Sequence, residues 1–174
     1  MRWLTREWTG GGDDALDGAQ AAEVTAAYKE HHAQVLPLLP PPFGMLLGEP
    51  DASGCWHTLH DARVESWVAD LPRRLELRLI CWGPGADDKP EALEIIYSEG
   101  VELIGPDEQE LAVWLGNPET QFLYDEAEVL PAGCFEHRHL LWPDGEFGVR
   151  FGAMAVAASP ASAEHYHAVG ERRA

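Results

Sequence analysis

Apolar and polar positions alternate most cleanly over residues 74–82. Leu75, Leu77, Leu79 and Cys81 fall on one side, with Arg74, Glu76, Arg78, Ile80 and Trp82 on the other. A period of two marks a strand with one buried face. Residues 63–69 carry strand propensity too, and Leu71-Pro72-Arg73 suits a turn, so an antiparallel hairpin is expected here. Leu93, Ile95 and Tyr97 alternate with Ala92, Glu94 and Ile96 in another strand. Glu99-Gly100 interrupts it, and residues 101–104 resume after a bulge or as a short separate strand. Residues 107–115 suit either a helical turn or an edge strand, and residues 121–129 a strand.

Before this strand-rich part the period changes. Residues 14–36 are rich in Ala, Glu, Gln and Lys, and Leu16, Ala19, Val24, Ala27, Tyr28 and Val35 recur at roughly helical intervals. Asp14 or Asp17 would cap this helix, and Pro37 followed by Pro40-Pro41-Pro42 would end it. Residues 1–8 alternate as a short strand. Near the other end, Asp144-Gly145 between two alternating runs suits a two-residue hairpin turn. That turn pairs Trp142 with Phe147, Leu140 with Val149 and Arg138 with Phe151. Leu140, Trp142, Phe147, Val149 and Phe151 then form the core face. Phe135, His137, His139 and Leu141 take the other face.

These patterns predict an α+β fold with an N-terminal helix packed on a largely antiparallel, twisted β-sheet of roughly six to eight strands. The helix spans about 14–36 and the β-rich part about 56–157, in one domain over 1–158. Residues 159–174 read as a polar C-terminal tail or a short helix. The N-terminal helix is the expected cover for Trp82.

Composition narrows the class. A hydrophobic content of 45% excludes a wholly disordered chain. The three cysteines, Cys55, Cys81 and Cys134, are odd in number and lack Cys-x-x-Cys spacing. That usage suits reduced thiols in the cytoplasm. No apolar stretch approaches the about 18 residues of a membrane span, and no secretory leader pattern is read at the start. Charge changes the picture most: 12 Lys and Arg stand against 30 Asp and Glu, a formal net charge of -18. Such a surface repels nucleic acid and anionic membranes and attracts basic proteins.

Met1-Arg2-Trp3-Leu4-Thr5-Arg6-Glu7-Trp8 and Leu59-His60-Asp61-Ala62 resemble elements of a family of bacterial proteins of unknown function. Residues 122–126 and 136–151 resemble that family's later segments. Leu-His-Asp-Ala elements also occur in small bacterial proteins linked to toxin-immunity loci. The resemblance therefore implies a fold more than a chemistry.

Two readings of function follow. In the first, the protein is a non-catalytic, acidic, inhibitor-type binding protein without a cofactor. Asp61, Glu65, Asp125, Glu126 and Glu128 would meet a basic protein partner. In the second, it binds a divalent metal or is a metal-dependent hydrolase. His137 and His139, about 7 Å apart on one strand face, would share the ion with His60. A nucleophile such as Ser66 or Cys134 beside His60 and Asp61 would suit a hydrolase, but no Gly-x-Ser-x-Gly elbow is present. No phosphate-cradling glycine motif is present either. The first reading leads, because it needs only the visible charge.

Overall fold

The computed structural model describes residues 2, 3, 5, 18–47, 59–82 and 90–171. Helix α1 (Gly18–Val35) runs into a 3-10 turn over Leu36–Leu38, and a one-turn helix α2 (Phe43–Leu46) follows. Proline explains the breaks: Pro40, Pro41 and Pro42 lack the N–H that would continue α1. Their carbonyls instead start α2, with Phe43 N–H donating to Pro40 O and Gly44 N–H to Pro41 O. Of the helical positions expected in the core, only Tyr28 is fully buried in α1. The capping aspartates Asp14 and Asp17 lie outside the described residues. So does most of the strand expected over residues 1–8; residues 2, 3 and 5 are in no strand.

Eight strands follow: β1 (Ala62–Asp70), β2 (Arg74–Trp82), β3 (Pro90–Ser98), β4 (Glu102–Ile104), β5 (Gln121–Val129), β6 (Phe135–Trp142), β7 (Glu146–Phe151) and β8 (Ala153–Pro160). The expected β1–β2 hairpin is present, with Asp70 opposite Arg74. Helix α3 (Glu108–Gly116) settles the ambiguous segment as helix, and α4 (Ala163–Glu171) ends the described chain. A capping box makes α3 helical: Glu110 N–H donates to the Asp107 side chain, and Asp107 N–H to that of Glu110.

Every pairing is antiparallel, in the order β4-β7-β6-β5-β1-β2-β3-β8. The two ends of that order are joined by the chain itself. Strand β3 continues into β4 through Glu99, Gly100 and Val101, and β7 continues into β8 through Gly152. Because β3 pairs with β8 and β4 with β7, these form one bent two-stranded ribbon, and the sheet rolls onto itself. Its corner is tight: Gly152 N–H donates to the carbonyls of Ser98 and Glu99. A Cβ on Gly152 would sit 3.0 Å from that of Glu99. Among the described residues closure is thinnest between β1 and β5, which pair through Ala62–Phe122 and Arg63–Gln121.

Inside the roll, Leu75, Leu77, Leu79 and Cys81 meet Leu93, Ile95, Tyr97, Phe122, Phe147, Val149 and Phe151. Phe43 of α2 joins this core, stacking on Phe151 at 6.1 Å. Outside it, Ile80, Ala92, Tyr166 and Val169 form a second cluster against Trp82. Thus α4, rather than α1, covers Trp82, with the Tyr166 ring 5.4 Å away. Of the tail and the short helix expected here, the helix forms, and it docks because Tyr166 and Val169, three positions apart, share one face. Among the described residues no helix is long and apolar enough to cross a membrane.

Candidate functional site

The β6–β7 register differs from the expected one by three positions, and the candidate site turns on that difference. Leu140 faces Glu146, His139 faces Phe147 and His137 faces Val149. The turn takes more residues than Asp144-Gly145 alone, with Leu141 N–H donating to Gly145 O at 2.9 Å. A slip by an odd number of residues exchanges the faces of a strand. His137 and His139 therefore point into the core, and Trp142, expected inside, is 51% exposed.

Both histidines are fully buried, and so are Tyr97 and Asp125. Strand β5 reaches inward with Asp125 because a bulge between Phe122 and Tyr124 shifts its alternation. The four side chains form a chain of hydrogen bonds. His137 Nε2 lies 2.7 Å from Asp125 Oδ2. The Tyr97 hydroxyl lies 2.8 Å from His137 Nδ1 and 3.1 Å from His139 Nε2. One assignment of protons satisfies all three contacts. His137 Nε2–H donates to the Asp125 carboxylate, leaving Nδ1 to accept from the Tyr97 O–H. The tyrosine oxygen then accepts from His139 Nε2–H. His139 Nδ1 is left as a bare lone pair, unpartnered among the described residues. The reverse order would leave that nitrogen as an orphaned buried N–H, the costlier defect.

Electrostatics agree with this order. Burial, then the neighbouring His137, holds His139 well below the usual imidazole value, with Asp125 opposing. Burial, then the Asp125 charge, pushes the Tyr97 phenol up, so it stays protonated. Aromatic rings close the site: Phe43 meets His137 edge-on at 4.9 Å, and Phe147 and Phe122 flank His139 at 4.7 and 5.2 Å.

Of the three expected metal ligands, the structure brings His137 and His139 together, with ring centroids 4.1 Å apart. His60 is engaged elsewhere, 3.1 Å from Asp61 and against the Tyr124 ring. Both His137 nitrogens and one of His139 are occupied. Among the described residues no group of three or more His, Cys, Asp or Glu is arranged to hold a metal ion. His57 and Cys55 lie outside the described residues. Of the nucleophiles, Ser66 and Cys134 are exposed, and burial pushes the Cys81 thiol up to about 12.

The expected partner-binding carboxylates divide. Asp125 and Glu126 are buried and cannot meet a partner. Glu126 accepts from the backbone N–H groups of Arg2 and Trp3, both at 2.7 Å. Glu128 lies 3.2 Å from His31 and 3.7 Å from Arg2. Glu65 is held by Arg78 and by His165. Only Asp61 keeps about half its side chain exposed. The correction has a local cause: the β5 bulge turns acids inward where plain alternation would leave some outside.

Sequence reasoning missed Tyr97 as a polar partner, although it placed Tyr97 in line with Leu93 and Ile95. A hydroxyl on a buried face needs an acceptor or donor there, and that requirement was the available signal. Comparison with protein-family models, curated proteins and solved structures finds no match.

Proposed function

We propose that this protein is a non-catalytic, inhibitor- or immunity-type binding protein that captures a basic protein in the cytoplasm. Its titratable cluster is sealed in the core and tied together by internal hydrogen bonds, which suits support of the fold. The contact surface moves from the buried β5 acids to the end of the molecule built by α3 and the β6–β7 turn.

The observation that carries this reading is the composition of that end. Asp107, Glu108, Glu110, Asp144 and Glu146 are exposed there, and so is Val113, at 67%. The two elements belong together: Trp114 of α3 packs 3.0 Å from where a Cβ on Gly145 would stand. Asp107 and Glu110 also serve the helix start, whereas Glu108 makes no side-chain hydrogen bond or ion pair among the described residues. Carboxylates around an exposed apolar side chain suit a partner with a basic rim and an apolar pocket.

Capture from native lysate, followed by kinetics with the purified partner, tests the proposal. A basic protein whose association slows with added salt, and again in Glu108→Lys, is the expected result. A partner that binds Glu108→Lys and the parent protein alike, independently of salt, would overturn it.

A further inference from the structure

In a chain this acidic, arginines find carboxylates easily. Arg2, Arg73, Arg74, Arg78, Arg138 and Arg150 all do so. Arg63 does not. Among the described residues it has no ion pair or hydrogen bond, and its Nε is buried without an acceptor.

The fold holds this guanidinium in place by other means. Its central carbon lies 4.7 Å from the centroid of the Tyr166 ring, a cation–π contact. That ring is itself fixed, since Tyr166 O–H donates to Asp61 O at 2.9 Å. Gly170 of α4 completes the seat. A Cβ there would fall 1.3 Å from Arg63 Nη1, so the guanidinium occupies space that only glycine leaves open. An arginine pinned between an aromatic face and a helix backbone is not free to swing toward a neighbouring acid.

Arg63 lines an open cleft of about 400 Å³ together with Pro118, Glu119, Gln121, Trp142 and Gly170. Glu119 is exposed, and its backbone N–H donates to Asn117 Oδ1 at 3.0 Å, which fixes the turn that presents it. Its carboxylate makes no ion pair with Arg63, although both line the same cleft. Gln121, opposite Trp142 in the β5–β6 register, has no side-chain hydrogen bond among the described residues. The cleft thus keeps a fixed cation and an anion apart, beside a free amide and a half-exposed indole.

We propose that this cleft is a binding site for a small zwitterion, an α-amino acid with an apolar side chain. Its carboxylate would take the Arg63 guanidinium and its ammonium the Glu119 carboxylate. Its side chain would lie on Trp142, while Gln121 completes the hydrogen bonding. A ligand of one sign would satisfy Arg63 and meet repulsion from Glu119, or the converse. A molecule carrying both charges satisfies both walls. This site is independent of the α3 surface, and either can fail alone.

Calorimetric titration of the whole chain with the standard α-amino acids tests the assignment. Phenylalanine would then be compared with phenethylamine and hydrocinnamate, which each lack one charge. Saturable binding of an apolar amino acid is expected, with each single-charge analogue about tenfold or more weaker, the loss of one charge-assisted contact. Arg63→Gln and Glu119→Gln should weaken amino-acid binding by a similar factor. Gly170→Ala, which keeps every charge but displaces Arg63, should weaken it too. Circular dichroism and thermal melting of each variant confirm that the fold persists, and Glu119→Gln changes only an exposed side chain. Absence of saturable binding by every amino acid, analogues that bind as well as phenylalanine, or undiminished binding to Glu119→Gln would overturn the proposal.

Discussion

Strand β6 carries a polar network on each face, and the two are built differently. Inward, His137 and His139 share the Tyr97 hydroxyl, and His137 reaches Asp125, with all four side chains cut off from water. Outward, Glu136 accepts from Arg138 Nε at 2.5 Å and from Arg150 Nε at 2.7 Å. Those arginine side chains are 34% and 42% exposed. Removing Glu136 leaves two arginine side chains that water can take over. Removing a partner inside leaves a buried donor or acceptor with nothing to replace it. The histidines most suggestive of chemistry are thus the ones most committed to tying β3, β5 and β6 together inside the core.

The largest effect should come from Asp125→Ala, which strands His137 Nε2–H in the core. A loss of about 3 kcal/mol is expected from urea unfolding. A loss no larger than that of Glu136→Gln would erase the distinction between the faces. Next comes Tyr97→Phe, which keeps the ring but removes the hydroxyl between the two imidazoles. It should cost about 2 kcal/mol, read from the same unfolding curves.

The pH response sharpens the contrast further. His139 has a folded-state pKa held well below its ordinary 6.5. Below pH 6.5 the unfolded chain therefore takes up a proton that the folded one refuses, and stability falls with pH. The slope from this one group approaches about 1.4 kcal/mol per pH unit. In His139→Leu that contribution should vanish, which thermal melts across the range would show. Glu136 works lower. The hydrogen bonds and charges of Arg150 and Arg138 outweigh the burial that opposes them and bring its carboxyl below 4.5. Its stabilisation is present above pH 4.5 and is lost as pH falls through the lower folded value. Glu136→Gln should thus cost the smallest amount, about 1 kcal/mol near neutral pH, and the difference should close in acid.

Much of the fold could be read from pattern, since alternation reports local geometry. The β1–β2 hairpin, the β3 strand interrupted at Glu99-Gly100, and a helix ending at the proline cluster all follow from residues close in sequence. Closure does not, because it depends on β3 meeting β8 and β4 meeting β7, 44 to 69 residues apart. The site was legible by half. His137 and His139 share a face, as a period of two requires, but Asp144-Gly145 implied a shorter turn and the wrong face. The cue that overrides it is the availability of Tyr97 and Asp125, supplied from two other strands. Asp125 and Glu126 misled for a related reason. A bulge costs one residue and is invisible to alternation, yet it decides which acids lie inside. Docking of α4 was hidden by the small, polar residues around Tyr166 and Val169.

The most direct test of this account is a nitrogen-detected NMR titration of the imidazoles in the folded chain, with His139 assigned by its Leu substitution. His139 should carry its proton on Nε2 and keep Nδ1 bare as the pH falls past 6.5, until the chain unfolds. An imidazolium forming at His139 near pH 6.5 in the folded protein would contradict it, because the sealed, one-directional chain of hydrogen bonds would then not exist.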